Sequence, residues 1–238
     1  MGEVQGQLLG MLETVASALG DELRGRLVFV GGCTTALFVT DPVTLEDVRA
    51  TDDVDLIVDL VGHGAWGLFQ EQLVGRGFSV NSDDDVICRM RLGNMKVDFM
   101  PDDPDILGFS NRWYARGIET AQSVTLPGGL AIRTLAPALF LATKLDAYLG
   151  RGNGDLLDSH DIEDVLVVVD GREELVDEVQ QAEPEVRAFI SRQFQALLAD
   201  GQFDFFLVGN VRGPEGRAEI VRQRIVALAS LGGQPDAT

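Results

Sequence analysis

Apolar residues in the first half of the chain alternate with polar ones in several short segments, and a longer helical pattern precedes them. Residues 3–23 carry apolar side chains three or four positions apart, which predicts an amphipathic helix. Gly31-Gly32 then separates a short apolar run from residues 34–39, which are typical of a helix. Strands are predicted by alternation and by β-branched residues over 26–30, 53–60, 86–92 and 95–100, with one or two more within 123–135.

Two finer features of this half follow from the same pattern. Gly93-Asn94 lies between two predicted strands and is typical of a two-residue hairpin turn. Residues 64–77 are predicted to form a helix whose inward side chains are Leu68, Leu73 and Val74.

The pattern becomes entirely helical near Ala136. Helical spacing predicts helices over residues 137–149, 159–169, 172–181, 184–199 and 218–231. In the second of these, Ile162, Val165, Leu166 and Val169 follow the spacing of one helix face despite their β-branched members. The sequence therefore predicts an α+β protein, with a small mixed sheet and helices in a domain of residues 1–135 and an all-helical domain of residues 136–238.

The net charge limits the possible functions of this protein more than its composition does. The formal net charge is −19, so the protein as a whole repels phosphate, which excludes a general nucleic-acid binder. Any action on RNA requires a local basic patch or a narrow site for an RNA end. No apolar run approaches the ~20 residues that cross a bilayer, and the acidic, polar first residues do not resemble a secretory signal. With Cys33 and Cys88 unable to form a disulfide framework, we expect a reduced, cytoplasmic protein without membrane contact.

Asp53 and Asp55 are the first candidates for chemistry. They lie two positions apart on a predicted strand, so both side chains leave the same face, while Val54 and Leu56 point into a core. Two neighbouring carboxylates repel each other unless a cation neutralises them, and Mg²⁺ or Mn²⁺ prefers such oxygen ligands. The same Asp-x-Asp spacing recurs at residues 83–85 and 103–105, which are predicted to be solvated loops.

Asp98 and the glycine pair complete a candidate site. Asp98 lies on the strand 95–100 among apolar residues, and a buried aspartate requires a partner or a metal. If this strand neighbours the first aspartate pair, three carboxylates converge as in two-metal phosphoryl transfer. Gly31-Gly32 before a helix is typical of a tight turn, and it also suits a triphosphate held by backbone N–H groups, with Thr34 adding a hydroxyl.

These motifs resemble those of the minimal polymerase-β-like nucleotidyltransferases, and the second half narrows the resemblance. The segments 144–151 (KLDAYLGR) and 158–164 (DSHDIED) are similar to the lysine and aspartate motifs of the AbiEii/AbiGii family, the nucleotidyltransferase toxins of type IV toxin–antitoxin systems. The resemblance spans roughly residues 28 to 170. It implies a minimal nucleotidyltransferase fold with a helical C-terminal lobe, an NTP substrate, a tRNA end as acceptor and a cognate antitoxin as partner.

The resemblance also implies residue roles. Asp53 and Asp55 become metal ligands. The convergence of the three carboxylates, if it occurs, adds Asp98 as a metal ligand that also activates the acceptor hydroxyl. Lys144 contacts the triphosphate, and Asp161 is the helical-lobe carboxylate near the nucleotide or acceptor, with Asp158 competing for that role. Without the resemblance, Lys144 is an amphipathic helix residue and an aspartate or Ser159 caps the next helix.

Two other functions remain open from the sequence. A small-molecule nucleotidyltransferase of the antibiotic-modifying type is favoured by the acidic surface, which attracts cationic drugs. A catalytically silent member that acts by binding a partner protein is disfavoured by the complete set of carboxylates.

Overall fold

A computed structural model of the protein describes residues 2–151 and 155–232. Two compact units divide the chain: one combines Met1–Ala36 with Arg49–Ala136, and the other combines Leu37–Val48 with Pro137–Thr238. Within the described residues, all strands belong to the first unit and the second unit is built from helices. The predicted α+β class, a mixed sheet with helices followed by an all-helical part, is confirmed.

The sheet of the first unit is mixed, with its two parallel pairings near the centre. Its strands are β1 (Val28–Val30), β2 (Asp53–Val58), β3 (Phe78–Ser79), β4 (Arg89–Leu92), β5 (Met95–Pro101), β6 (Gln122–Thr125) and β7 (Ala131–Thr134). Their spatial order is β3-β4-β5-β2-β1-β7-β6. The pairs β2–β5 and β1–β7 are parallel, and the other neighbours are antiparallel.

Side-chain alternation along the central strands follows the sequence pattern. Val54 and Leu56 are fully buried, while Asp53 and Asp55 on the opposite face are half-buried. The β4–β5 hairpin pairs Leu92 with Met95, so the two-residue turn predicted between these strands is confirmed. β4 begins later than predicted, because the residues before Arg89 form a turn.

The helices vary from one turn to six. They are α1 (Glu3–Arg24), α2 (Thr35–Phe38), α3 (Gly62–Val74), α4 (Pro104–Leu107), α5 (Tyr114–Glu119), α6 (Pro137–Arg151), α7 (His160–Gly171), α8 (Leu175–Gln181), α9 (Pro184–Ala199), α10 (Phe203–Asn210) and α11 (Arg217–Ser230). The segments Gly32–Thr34 and Thr44–Asp47 are short 3-10 helices. None of the described helices combines the length and apolar character that crossing a bilayer requires.

The buried face of α3 differs from the predicted one. Leu73 is buried as predicted, but Leu68 and Val74 are 63% and 56% exposed, so their inward assignment was wrong. The face that packs on the sheet instead carries Trp66 and Phe69, and the Phe69 ring meets Phe99 of β5 edge-on at 5.6 Å. Aromatic rings bury more area than leucine or valine, and this decides which face turns inward.

In the second unit, α6 packs against α7, α8 and α9, and α11 packs against the same three helices. The predicted inner face of α7 is confirmed, since Ile162, Val165, Leu166 and Val169 are all buried. α10 was not predicted, because its run of apolar residues has no polar face to reveal a helical period.

The segment Leu37–Val48 is held to α7 and α11 inside the second unit. The backbone N–H groups of Thr40 and Asp41 donate to the Gly171 carbonyl at 2.8 and 2.9 Å. Arg217 forms ion pairs at 2.5 Å with both Asp41 and Asp170. These contacts explain why twelve residues from the first part of the sequence belong to the helical unit.

Candidate metal and nucleotide site

Three carboxylates meet on one face of the central sheet. Because β2 and β5 pair in parallel, Asp55 lies directly beside Asp98, and Asp53 precedes it on the same face of β2. Each of the three offers an oxygen, and these oxygens lie within 4.8 Å of one another. Asp98 is buried, and the other two are half-buried. The sequence predicts that the three carboxylates converge if the two strands are neighbours, and the strands are neighbours.

An arginine missed in the sequence analysis lies among these carboxylates. Arg89 of β4 donates from Nε and Nη2 to the two oxygens of Asp98, both at 2.8 Å, and Nη2 also lies 3.5 Å from Asp53 Oδ2. The hydrogen bonds to Asp98, and then the charges of Asp98 and Asp53, raise the pKa of Arg89, so its guanidinium is always charged. The hairpin could have revealed this contact, because counting back from the turn pairs Arg89 with Asp98.

The donor set suits a hard divalent cation. Mg²⁺ and Mn²⁺ take carboxylate oxygens and keep several waters that a phosphate can replace. Asp53 is oriented by the Thr51 hydroxyl, which donates to its Oδ1. Arg89 pairs with two of the three carboxylates, Asp98 and Asp53, and a divalent ion attracts such a group of neighbouring carboxylates more strongly than a single charge does.

The glycine turn lies against this cluster. Val30 pairs with Asp55 across β1 and β2, so Gly31 follows directly beside that carboxylate. Gly31 has φ +75°, and a Cβ built there would lie 1.8 Å from Asp55 Oδ2. Only glycine therefore allows the turn and the carboxylate to lie this close. Gly32 is buried and begins the 3-10 helix that follows.

Thr34 uses its polar groups within this turn. Its backbone N–H and its hydroxyl both donate to the Gly31 carbonyl, at 3.2 and 2.8 Å. Thr34 is fully buried, so a phosphate contact through its hydroxyl, as predicted, would require that hydrogen bond to break. Thr35 is also fully buried, and its Oγ1 has no hydrogen-bond partner among the described residues.

Gly31→Ala is expected to destabilise the protein by at least about 2 kcal/mol, because the new Cβ both strains a positive φ and displaces Asp55. Gly93→Ala is the matched control: Gly93 has φ +61°, and a Cβ added there would meet no atom within 4 Å, so only the backbone term applies. Urea unfolding of both variants measures the difference. Equal losses of unfolding free energy would show that the Asp55 contact has no energetic weight.

The two cysteines border the carboxylates and are expected to resist alkylation. Burial, followed by the charges of Asp98 and Asp55, raises the pKa of Cys88 to about 12. Burial also raises the pKa of Cys33, with Asp55 the next cause. At pH 8 the thiolate of Cys88 is then about a thousandfold scarcer than in a free cysteine. Iodoacetamide should label neither thiol in the folded protein and both in urea; labelling of the folded protein at the free-cysteine rate would contradict this.

A second charged cluster lies inside the helical unit. The Lys144 ammonium of α6 donates to Asp161 at 3.1 Å and to Asp164 at 2.7 Å, both on α7. Lys144 is 8% exposed and Asp164 is 2% exposed. The sequence singled out Lys144 and Asp161 but missed Asp164, although its position three residues after Asp161 places it on the same helix face.

The alternatives to Asp161 near the start of α7, Asp158 and Ser159, do not contact Lys144 in any hydrogen bond of the described residues. Ser159 is the N-cap, its hydroxyl accepting from the Ile162 backbone N–H at 3.4 Å. Asp158 is exposed, whereas Asp161 lies in the first turn of α7 and accepts a hydrogen bond from Lys144 of α6. Elsewhere, Asp83 and Asp85 are exposed in a loop, as predicted. Asp103 and Asp105 are not in a loop, since Asp103 is the N-cap of α4 and Asp105 lies in its first turn.

Two solved structures from Helicobacter pylori resemble this chain in fold at very low sequence identity. JHP933 is 10% identical, with a TM-score of 0.47, and the match covers 98% of this chain and 93% of that one. A protein provisionally named a nucleotidyltransferase is 12% identical, with a TM-score of 0.46, and the match covers 98% and 94%. No protein-family model and no curated protein matches the sequence.

Proposed function

We propose that this protein is a divalent-metal-dependent nucleotidyltransferase, which transfers a nucleoside monophosphate from an NTP to an acceptor hydroxyl. The observation that carries this proposal is the group of three carboxylates, Asp53, Asp55 and Asp98, next to a glycine turn that only glycine can form. Three converging carboxylates can hold the metal ions that stabilise the attacking and leaving oxygens in phosphoryl transfer.

The three aspartates would hold Mg²⁺ or Mn²⁺, which when bound stabilises negative charge on the transferring phosphoryl group and the leaving oxygen. The backbone N–H groups at Gly31 and Gly32 bind phosphate oxygens, since glycine lets a ligand approach the backbone closely. Thr34 is the least favoured phosphate ligand of this group, because its hydroxyl already donates within the turn.

Asp98 is proposed to accept the proton of the acceptor hydroxyl. As that oxygen attacks the α-phosphorus, the bond from the α-phosphorus to the bridging oxygen breaks and pyrophosphate leaves. Asp98 is buried and can exclude bulk water from the transfer. Arg89 donates to both oxygens of Asp98, so the acceptor hydroxyl competes with that guanidinium for the carboxylate.

Lys144 is proposed to contact the triphosphate, as the resemblance to the AbiEii/AbiGii toxins implies. Asp161 and Asp164 fix its ammonium by hydrogen bonds, so we assign Asp161 the role of orienting Lys144. A lysine held by two acids keeps its compact positive charge in a defined position, which suits an anionic ligand.

The acceptor is proposed to be a tRNA end, with the protein acting in the cytoplasm as the toxin of a toxin–antitoxin pair. The support is the resemblance of the segments 144–151 and 158–164 to that family. The net charge of −19 favours a second candidate, a small cationic acceptor of the antibiotic type, because an acidic surface attracts cations and repels RNA.

Labelling separates the two acceptors. Purified protein is incubated with Mg²⁺ and each α-³²P-NTP in turn, with either total cellular RNA or a panel of aminoglycosides. Label in a small-RNA band supports the toxin proposal and identifies the base. Label in the aminoglycoside alone supports the second candidate, and NTP left intact with every acceptor would contradict both.

A further inference from the structure

One nitrogen of Arg89 lies between two of the three carboxylates. Nη2 is 2.8 Å from Asp98 Oδ2 and 3.5 Å from Asp53 Oδ2. A magnesium ion sits ~2.1 Å from each oxygen ligand, so an ion that bridges these two Oδ2 atoms needs the space that this N–H group fills. The guanidinium and a bridging ion therefore exclude each other.

The contact of Arg89 with Asp98 is stronger than an ordinary surface ion pair. Both oxygens of Asp98 accept from the planar fork at 2.8 Å. The side chains of Arg89 and Asp98 are only 14% and 10% exposed, so water screens their attraction weakly. Bidentate, charge-assisted pairs of this kind are roughly twice as strong as neutral hydrogen bonds.

We propose that Arg89 is a built-in competitor for divalent metal at this site: a metal ion bridges Asp53 and Asp98 only when the Arg89 guanidinium leaves them. This rests on the proposed metal-dependent function. Arg89 thereby sets the metal affinity, and the exchange also frees both oxygens of the Asp98 carboxylate from their hydrogen bonds. Arg89 is a positioning residue in this scheme, since it acts through Asp98 and Asp53.

Arg91 provides a matched control. It lies two residues further on β4, on the same face of the strand, and pairs with Asp84 at 2.5 Å instead of with the three carboxylates. Arg89→Gln and Arg91→Gln remove the same charge from the same strand. If losing a positive charge raises the cation affinity by general electrostatics, both variants show the gain. If Arg89 competes with the metal, the larger gain in affinity appears only in Arg89→Gln.

The test is a Mn²⁺ titration in which electron paramagnetic resonance measures the free ion. Arg89→Gln is expected to bind Mn²⁺ at least tenfold more tightly than the wild type, and Arg91→Gln within about threefold of it. Asp55→Asn should lose the site. Unchanged or weaker Mn²⁺ binding by Arg89→Gln, with binding still lost in Asp55→Asn, overturns the role of Arg89 alone. Binding that Asp55→Asn leaves intact overturns the metal site itself and both proposals with it.

A second measurement uses the wild-type protein, so that it does not depend on the folding of Arg89→Gln. The ¹⁵N-detected Nε–H signal of Arg89, assigned with Arg89→Lys, is followed as Mg²⁺ is added. Release from Asp98 is expected to shift this signal and to speed its exchange with water at least tenfold, while the Arg91 signal stays unchanged. An Arg89 signal that keeps its position and protection at saturating Mg²⁺ overturns the proposal.

Discussion

Asp55→Asn is expected to lower NTP turnover at least about a thousandfold, equivalent to about 4 kcal/mol of transition-state stabilisation. Asp55 pairs in register with Asp98 and lies against the Gly31 turn, so its carboxylate is central to the proposed metal and phosphate site. The amide keeps the shape of the side chain and removes its charge, so the fold is retained. Turnover is measured as pyrophosphate released in the presence of Mg²⁺, the NTP and the acceptor that the labelling experiment identifies.

Asp59→Asn is the control for this variant. Asp59 follows β2 four residues after Asp55, is exposed, and undergoes the same change of charge. Its turnover should stay within about twofold of the wild type, and both variants should unfold within about 1 kcal/mol of it. If Asp55→Asn remains active with an unaltered Mg²⁺ dependence, the assignment of these carboxylates is wrong.

Lys144→Met is expected to cost about 3–5 kcal/mol of unfolding free energy, because it removes one partner of a buried ion pair. The methionine fills similar volume, but the Asp164 carboxylate, 2% exposed, loses the ammonium that donates to it at 2.7 Å. A buried carboxylate that loses a cation offsets less of its desolvation penalty. Urea denaturation at pH 7 measures the loss.

Two variants control this prediction. Lys96→Met removes the other lysine of the chain, which pairs with the 75% exposed side chain of Asp52, and should cost less than about 1 kcal/mol. The double variant Lys144→Met/Asp164→Asn should recover part of the loss, because the carboxylate left behind is then neutral. Equal losses for the two lysines would show that the buried pair contributes nothing beyond a surface ion pair.

The proposed exchange of Arg89 for a metal ion links the experiments on Asp55 and on Arg89. Asp55→Asn tests whether the carboxylates bind the ion, and Arg89→Gln tests what the ion must displace. A protein with a competing arginine binds divalent metal more weakly than three carboxylates otherwise would. Tighter metal binding in Arg89→Gln without a matching gain in turnover would indicate that Arg89 also helps after the ion has bound.

Much of the first unit could be predicted because its signals are local. A period of two along β2 places Asp53 and Asp55 on one face, and Gly93-Asn94 fixes a hairpin register that pairs Arg89 with Asp98. In the second unit, the helical period of α7 identifies the buried residues of that helix in the same way. Each of these depends only on neighbours along the chain, so the order of the residues is enough.

The remaining features depended on contacts between distant segments. The parallel pairing of β2 with β5, which joins Asp55 to Asp98, is decided by the burial of the whole sheet. The same holds for the inward face of α3, the place of Leu37–Val48 in the helical unit, and the role of Asp164 as a partner of Lys144. The sequence by itself determined which side chains share a face, because that follows from backbone periodicity. Only the tertiary structure decided which faces meet, because that depends on burial summed over segments far apart in the chain.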